Sequence, residues 1–477
     1  MSWYIVYFVL YFIFMLGIAF WYFKRISTYE DYLISGWNTG FWKITGTVIS
    51  TFCGAAVFIG WVGLGFTVGL SGYWKFAFVA ILFSLILIVG FAKPLRRQKL
   101  ITLADLFTKR FGGRAGIIPS VLSAFIYSVP TTALQLVGMS TVFNITLDIS
   151  IPVGIFISFM VILIFTVIGG LPATILTDAI QSVIIIIGVI VLAIVTVTHV
   201  GGLGTLFSAS EPEYINFTGP DGLGEILLYA LSVGPFYLVW QSTWQRIFAA
   251  KDEDTAVKAN SLGFIIAGLI SFLPFLIGLA ARQFVPLDMH PDLVFSYVTD
   301  LLMSSPIGGI VFLGLLAALM TGATSFILQG SSNLTVDLYQ NFINRDAGPK
   351  TMLKSSRISV LIITVLACLF AYSIEDIATT YQWALRLTAT ITVFPFLAVM
   401  FWKRVTKAGV LTSMIGTAVL VLAYPFLPVG MDHALFGFTV SFVLLTGVSL
   451  LTKHAESETV QAAYFEKLEN PNVRERE

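Results

Sequence analysis

Charge is scarce in this chain. Its 477 residues include 27 Lys and Arg against 26 Asp and Glu, 11% charged in all, for a net charge of +1. An ordinary soluble domain devotes about a quarter of its residues to charge. A water-facing surface needs polar cover that this composition cannot supply. The near-neutral balance suggests no nucleic-acid partner. Cysteine is almost absent. Cys53 and Cys368 both stand in apolar runs and offer neither a metal-ligand spacing nor a disulfide framework. They read as small packing residues. Four scattered histidines, His199, His290, His433 and His454, make no ligand cluster. No nucleophile–base pair or metal cluster lies in any apolar segment, so an enzyme is not expected, and neither is a cofactor.

Apolar residues are abundant, at 57% of the chain. Runs such as Val183–Val197 and Phe78–Phe91 are apolar on nearly every face, as helices are when buried or in lipid. At roughly 20 residues per crossing, about thirteen spans are expected: near 3–23, 44–71, 74–92, 116–144, 151–169, 177–199, 224–245, 261–282, 306–336, 356–373, 381–402, 408–427 and 432–452. The first reads as a retained helix, since it has no cleavage-site pattern. The segments near 44–71 and 306–336 exceed a simple span, which predicts tilt, a break or an extension beyond the bilayer. The expectation is an all-α polytopic membrane protein whose partner is the lipid bilayer. Nothing in the sequence requires an oligomer.

Lys and Arg set the direction. With the N-terminus outside, basic clusters at Lys93–Arg114, Arg246–Lys258, Arg345–Arg357 and Lys403–Lys407 all face the cytoplasm, and the C-terminus lies inside. Only Lys75, Arg282 and Arg386 fall elsewhere. Lys75 reads as snorkelling to the outer surface. The domain expectation is one transmembrane unit, 1–453, with core repeats at about 44–199 and 224–402, and a short cytoplasmic tail, 454–477.

Polar groups inside spans mark functional candidates, because an ionisable one costs about 2.5–3.5 kcal/mol on insertion scales. Asp178 follows Gly169-Gly170-Leu171-Pro172 and reads equally well as a helix cap or a cation ligand. Thr321, Thr324 and Ser325 are spaced i, i+3, i+4, so three hydroxyls share one helix face. They suit a hard cation, which takes oxygen ligands, or simple packing between helices. Gly54, Gly60, Gly63 and Gly65 make the segment Ser50–Gly65 easy to break, and Gly234-Pro235 does the same before Phe236, Tyr237, Trp240 and Gln241. Broken helices free backbone groups for substrate and ion. Arg386 is an anchor for a carboxylate or a snorkelling group. Spans 2–6 and 7–11 form two sets of five, each opening on a glycine-interrupted span, as inverted repeats do.

At several places the chain resembles the sodium:solute symporter family: Gly169-Gly170-Leu171 with Thr177-Asp178 and Gln181; Gln241 with Gln245-Arg246 and Ala249-Ala250-Lys251; Ala317-Ala318 with Ser331-Ser332 and Asp337-Leu338-Tyr339; and Phe401-Trp402-Lys403-Arg404 with Gly409. Pro94, Arg96-Arg97, Thr102-Leu103, Asp105 and Arg110-Phe111-Gly112 add another match. The resemblance implies a LeuT-like five-plus-five core, alternating access and sodium-coupled uptake of a small solute. It implies a principal sodium site at Ser50, Cys53, Ala318, Thr321 and position 322. There the chain departs, because Gly322 has no hydroxyl. It implies a second cation site at Asp178, Thr321, Thr324 and Ser325, where sodium binds or a proton on Asp178 drives transport. The implied solute pocket lies at Cys53, Gly54, Val57, Val233, Phe236, Tyr237, Trp240 and Gln241. Tyr237 matches an aromatic of proline-type members, whereas Phe52 stands where they carry an acid. Arg386 favours a carboxylate-bearing solute. A proton-coupled symporter and a non-transporting ligand sensor are the alternatives.

Overall fold

A computed structural model describes residues 3–54, 59–112, 115–374, 377–428 and 430–453. The expected tail, 454–477, and Val57 lie outside the described residues. The described chain is helical throughout, with a lone two-residue bridge between Thr39 and Ala250. In order, the helices used below are α1 (Trp3–Phe23), α2 (Phe41–Phe52), α3 (Trp61–Val68), α4 (Tyr73–Arg97), α5 (Ala104–Phe111), α6 (Ile117–Leu147) and α7 (Ile151–His199). They continue with α8 (Gly222–Ser232), α9 (Phe236–Val239), α10 (Gln241–Ala249), α11 (Glu253–Ala281) and α12 (Pro306–Ile343). The last four are α13 (Pro349–Ala371), α14 (Ile377–Phe401), α15 (Lys407–Ala423) and α16 (His433–Leu451).

Among the described residues, eleven helical stretches are long and apolar enough to cross a bilayer. Two departures from straight helices separate this figure from the thirteen expected segments. The segment near 44–71 is interrupted: α2 ends at Phe52 and α3 begins at Trp61, so neither half is long enough alone. Conversely, α7 runs 49 residues because two expected segments join across a kink at Gly170. Gly170 has φ 55°, which an L-residue rarely adopts. Pro172 follows and has no N–H to continue the ladder. Tyr32 fills the corner. Its ring lies where a Cβ on Gly170 would come within 2.6 Å, and its hydroxyl donates to the Thr166 carbonyl at 2.7 Å. That carbonyl would otherwise accept from residue 170 in an unbroken helix.

Polarity is inverted relative to a soluble protein. The outer faces carry Leu10, Ile13, Val89, Ile194 and Leu369, whereas Thr47, Thr51, Gln135, Asp178, Ser325 and Gln329 are buried. Lipid tolerates the first set, and every polar group inside must find an internal partner. Small residues let helices approach until that is possible. A Cβ on Gly46 of α2 would lie 2.6 Å from the Ala179 Cα of α7, so glycine alone allows this contact beside Asp178. At the other end of α2, backbone bonds from Thr39 N to Ala249 O (2.9 Å) and from Lys251 N to Thr39 O (3.0 Å) stitch its start to the end of α10.

Candidate functional site

The second broken segment lies opposite the first. α8 stops at Ser232, Gly234-Pro235 turns the chain into the single turn α9, and Trp240 is extended (ψ 103°) before α10 begins. With the break after Phe52, this leaves two interruptions facing one another around a cavity of about 60 Å³. Thr51, Phe52 and Gly54 line it from the end of α2, Gly60, Trp61 and Leu64 from α3, and Tyr237 and Trp240 from the α9–α10 turn. Tyr229, Gln135, Phe326, Tyr381 and Gln382 close it. Among the described residues that line it, no side chain is charged. Recognition there falls to amides, tyrosine hydroxyls, aromatic faces and the backbone of the breaks.

The expected solute residues divide accordingly. Gly54, Tyr237 and Trp240 line the cavity. Phe236 stands behind it against Tyr127, with ring centroids 5.1 Å apart, and Val233 is buried in the core. Gln241 turns toward α12: its amide nitrogen donates to Asn333 Oδ1 at 2.9 Å, and its oxygen accepts from Ser123 at 3.1 Å. Arg386 is not a cavity-lining residue; its guanidinium sits 3.7 Å from Asp432. Lys75 does more than snorkel, reaching Asp221 at 3.1 Å and Glu225 at 3.3 Å.

Behind the cavity, α2, α7, α10 and α12 converge on two groups of oxygen atoms. In the first, the Thr321 hydroxyl of α12 donates to the Ser50 carbonyl of α2 (3.0 Å) and to the Ala318 carbonyl (2.9 Å). Cys53, also buried, closes α2 with its N–H on the Ile49 carbonyl. Gly322 is covered by Gln135: a Cβ at position 322 would lie 3.0 Å from both the Gln135 amide carbon and its oxygen. Gln135 also lies 3.4 Å from where a Cβ on Gly54 would be, so one amide bridges the cavity and the gap at Gly322.

The second group surrounds Asp178, which is fully buried, eight residues beyond the Gly170 kink. It is no helix cap. Its Oδ2 accepts from the Thr47 hydroxyl at 2.6 Å and the Thr51 hydroxyl at 3.4 Å, both on α2. Ser325 of α12 lies 3.3 Å from Thr51. Thr324 turns away, bonding the Met320 and Thr321 carbonyls of its own helix. Of the three expected hydroxyls, then, one joins each oxygen group and one serves its own helix. The carboxylate's counter-charge is Arg246 of α10, 3.5 Å away, with both side chains 1% exposed. Its place in the sequence groups Arg246 with the cytoplasmic basic residues. It stands instead in the interior, because α10 is enclosed on all sides and every residue of that helix is buried.

Thr47, Thr51 and Arg246 were missed as site residues, as were Gln135, Tyr381 and Gln382. Gln135 carried a usable signal, being an amide in the middle of an apolar segment. Thr47 and Thr51, spaced i, i+4 on one face of α2, carried another.

Comparison with known proteins places this geometry. A model of the sodium:solute symporter family matches residues 32–417. The osmoregulated proline transporter OpuE of Bacillus subtilis is 30% identical over 93% of this chain and 94% of its own. The sodium/glucose cotransporter of Vibrio parahaemolyticus is 25% identical over 89% and 85%. Among solved structures, an outward-open, substrate-bound Na+-coupled sialic acid symporter superposes with a TM-score of 0.83 at 17% identity, covering 95% of this chain and 98% of that one. Mhp1, a nucleobase-cation-symport-1 family transporter, follows at 0.59 and 13% identity, covering 91% and 98%. These likenesses establish a LeuT-like fold.

Proposed function

From the premise that this chain belongs to the sodium:solute symporter family, we propose that it imports a small carboxylate-bearing solute together with sodium across the cytoplasmic membrane. It does so by alternating access, with thirteen crossings, an external N-terminus and repeats at about 44–199 and 224–402. The observation that carries this reading is the uncharged cavity between two broken helices, lying directly beside the Ser50–Thr321 oxygens.

Sodium is held by the Ser50, Cys53 and Ala318 carbonyls and the Thr321 hydroxyl. The Gln135 amide oxygen stands in for the hydroxyl that Gly322 lacks. Monovalent cations suit such a set of neutral oxygens, and hard cations in general take oxygen donors. Asp178 of α7 and Ser325 of α12, the helix that also carries Thr321 and Thr324, form the second place where positive charge is held.

The solute lies against Gly54, Tyr237 and Trp240, with Val233, Phe236 and Gln241 around them. Its carboxylate is met by the Gln135 and Gln382 amides, rather than by Arg386. A cavity of about 60 Å³ favours a compact solute. The proline transporters among the relatives make proline the first compound to test.

The test is uptake by purified protein in proteoliposomes, with sodium and proton gradients imposed separately and proline, glucose and short monocarboxylates as labelled solutes. Accumulation is expected under an inward sodium gradient alone. Accumulation under a proton gradient without sodium would replace sodium by protons. Binding of a solute without flux under either gradient would make the protein a sensor.

A further inference from the structure

The second oxygen group has an unusual centre. The terminal Nη2 of Arg246 lies 2.5 Å from Ser325 Oγ, 2.8 Å from Thr51 Oγ1, 3.3 Å from Thr47 Oγ1 and 3.5 Å from Asp178 Oδ2. One nitrogen with two protons is thus ringed by four oxygens from three other helices. Nη1 is tied back to the Ser242 carbonyl of its own helix at 3.2 Å, which fixes the head in place. Thr47 and Thr51 each turn a hydroxyl proton toward Asp178 Oδ2 and a lone pair toward the guanidinium. All three hydroxyls converge on the nitrogen and two of them, Thr47 and Thr51, also on Oδ2, while Asp178 Oδ1 has no hydrogen-bond partner among the described residues.

We infer that Arg246 is a tethered cation that fills the Asp178 site, so that this site takes no sodium of its own in the resting protein. The inference deepens the sodium-coupled reading above and rests on it for the identity of the competing ion. A buried carboxylate requires positive charge close by, since burying it alone is prohibitive. A guanidinium is always protonated and carries its charge on a delocalised plane. It supplies that charge permanently, at the place where a bound sodium would otherwise supply it transiently. The same four oxygens cannot ring a sodium ion while Nη2 stands among them. Removing the guanidinium while keeping the volume polar leaves Asp178 and three hydroxyls facing one vacated position, a complete donor set for a monovalent cation. The chain would then carry one more sodium per cycle than it does now.

The experiment counts ions directly, with ²²Na+ as the only probe and no solute. Purified full-length protein in nanodiscs is titrated with ²²Na+ in a choline background, and bound ions per protein are determined for wild type, Arg246→Gln, Arg246→Lys and Arg246→Gln/Asp178→Asn. Arg246→Gln is expected to bind one ion more than wild type. Arg246→Lys keeps the wild-type number, because an ammonium still occupies the site. The double variant loses the added ion. Wild-type protein that binds two ions overturns the inference without reference to any variant. So does an Arg246→Gln protein whose count equals that of wild type. Wild-type protein that binds none, with Arg246→Gln binding one, upholds the tethered cation and instead sinks sodium binding at the Ser50–Thr321 oxygens.

Discussion

Asp178 and Arg246 form an ion pair that water does not reach, and removing both partners should cost little more than removing either one alone. The pair is 3.5 Å apart and 1% exposed on each side. Asp178→Asn leaves a buried guanidinium with hydroxyl acceptors but no counter-charge. Arg246→Gln leaves a buried carboxylate with only hydroxyl donors. Breaking a buried pair from one side typically costs about 3–5 kcal/mol. Simple addition would therefore put the double variant at roughly 6–10 kcal/mol below wild type. The double variant, however, holds two neutral amides that can hydrogen-bond each other and the surrounding Thr47, Thr51 and Ser325 hydroxyls. Its loss should stay near that of either single variant, giving a coupling of about 3 kcal/mol, the upper end for contacting residues. The assay is an unfolding titration in mixed micelles in sodium-free buffer, followed by fluorescence of the ten tryptophans. Adding sodium should then stabilise Arg246→Gln more than wild type, since an ion that binds only the folded state raises its stability. If the single losses simply add in the double variant, the two groups are not partners and the geometry at Asp178 has been misjudged.

Gly322→Ser brings a Cβ to 3.0 Å from the Gln135 amide, so Gln135 must yield by a few tenths of an ångström, and a hydroxyl joins the Ser50–Thr321 oxygens. Half-saturating sodium for uptake should fall about fivefold, as one added polar contact of about 1 kcal/mol implies; no change would place Gly322 away from the ion. Arg386→Ala loses only a partly exposed pair with Asp432, worth about 0–1 kcal/mol. The half-saturating solute concentration should stay within about twofold of wild type, and a tenfold rise would make Arg386 a solute ligand. Asp252 caps α11, accepting from the Thr255 N–H at 2.7 Å, and that bond holds its carboxyl below the usual range. Asp252→Ala should cost about 1 kcal/mol of stability at neutral pH. Because the folded-state pKa is the lower one, the wild-type advantage is present above the ordinary carboxylate range and disappears as pH falls through the lowered value; unfolding curves of the two proteins at pH 7 and in acid check this.

Apolar runs announced the helices because lipid demands continuous hydrophobicity, a property of local sequence. Both breaks were legible for the same reason: Gly54, Gly60 and Gly234-Pro235 weaken a helix wherever they stand. The Gly170 corner showed itself as a gap between two expected spans, but not that the two helices would meet there directly, with Tyr32 taking up the carbonyl freed at the kink. Roles decided by distant partners were not legible. Arg246 sits close to Lys251 and Lys258 in the chain, and local charge counting grouped it with them. Only the fold brings Asp178 to it. Asp178 itself looked as much like a cap as a ligand until Thr47, 131 residues away, supplied its partner. Gln135 gained its place from the absence of a side chain at Gly322, a relation between two helices that neither helix records alone.

The paired backbone bonds between Thr39 and residues 249 and 251 bear on how such a molecule changes shape. They fasten one broken helix of the first half to its counterpart in the second at the same end. Two levers joined at their tips cannot swing independently. Any rearrangement that alternately exposes the cavity must carry α2 and α10 as a single limb, Asp178's hydroxyl partners and Arg246 included. The bending then falls to the opposite ends of those helices, after Phe52 and at the extended Trp240, where the hydrogen-bond ladders are already interrupted and little more has to be broken.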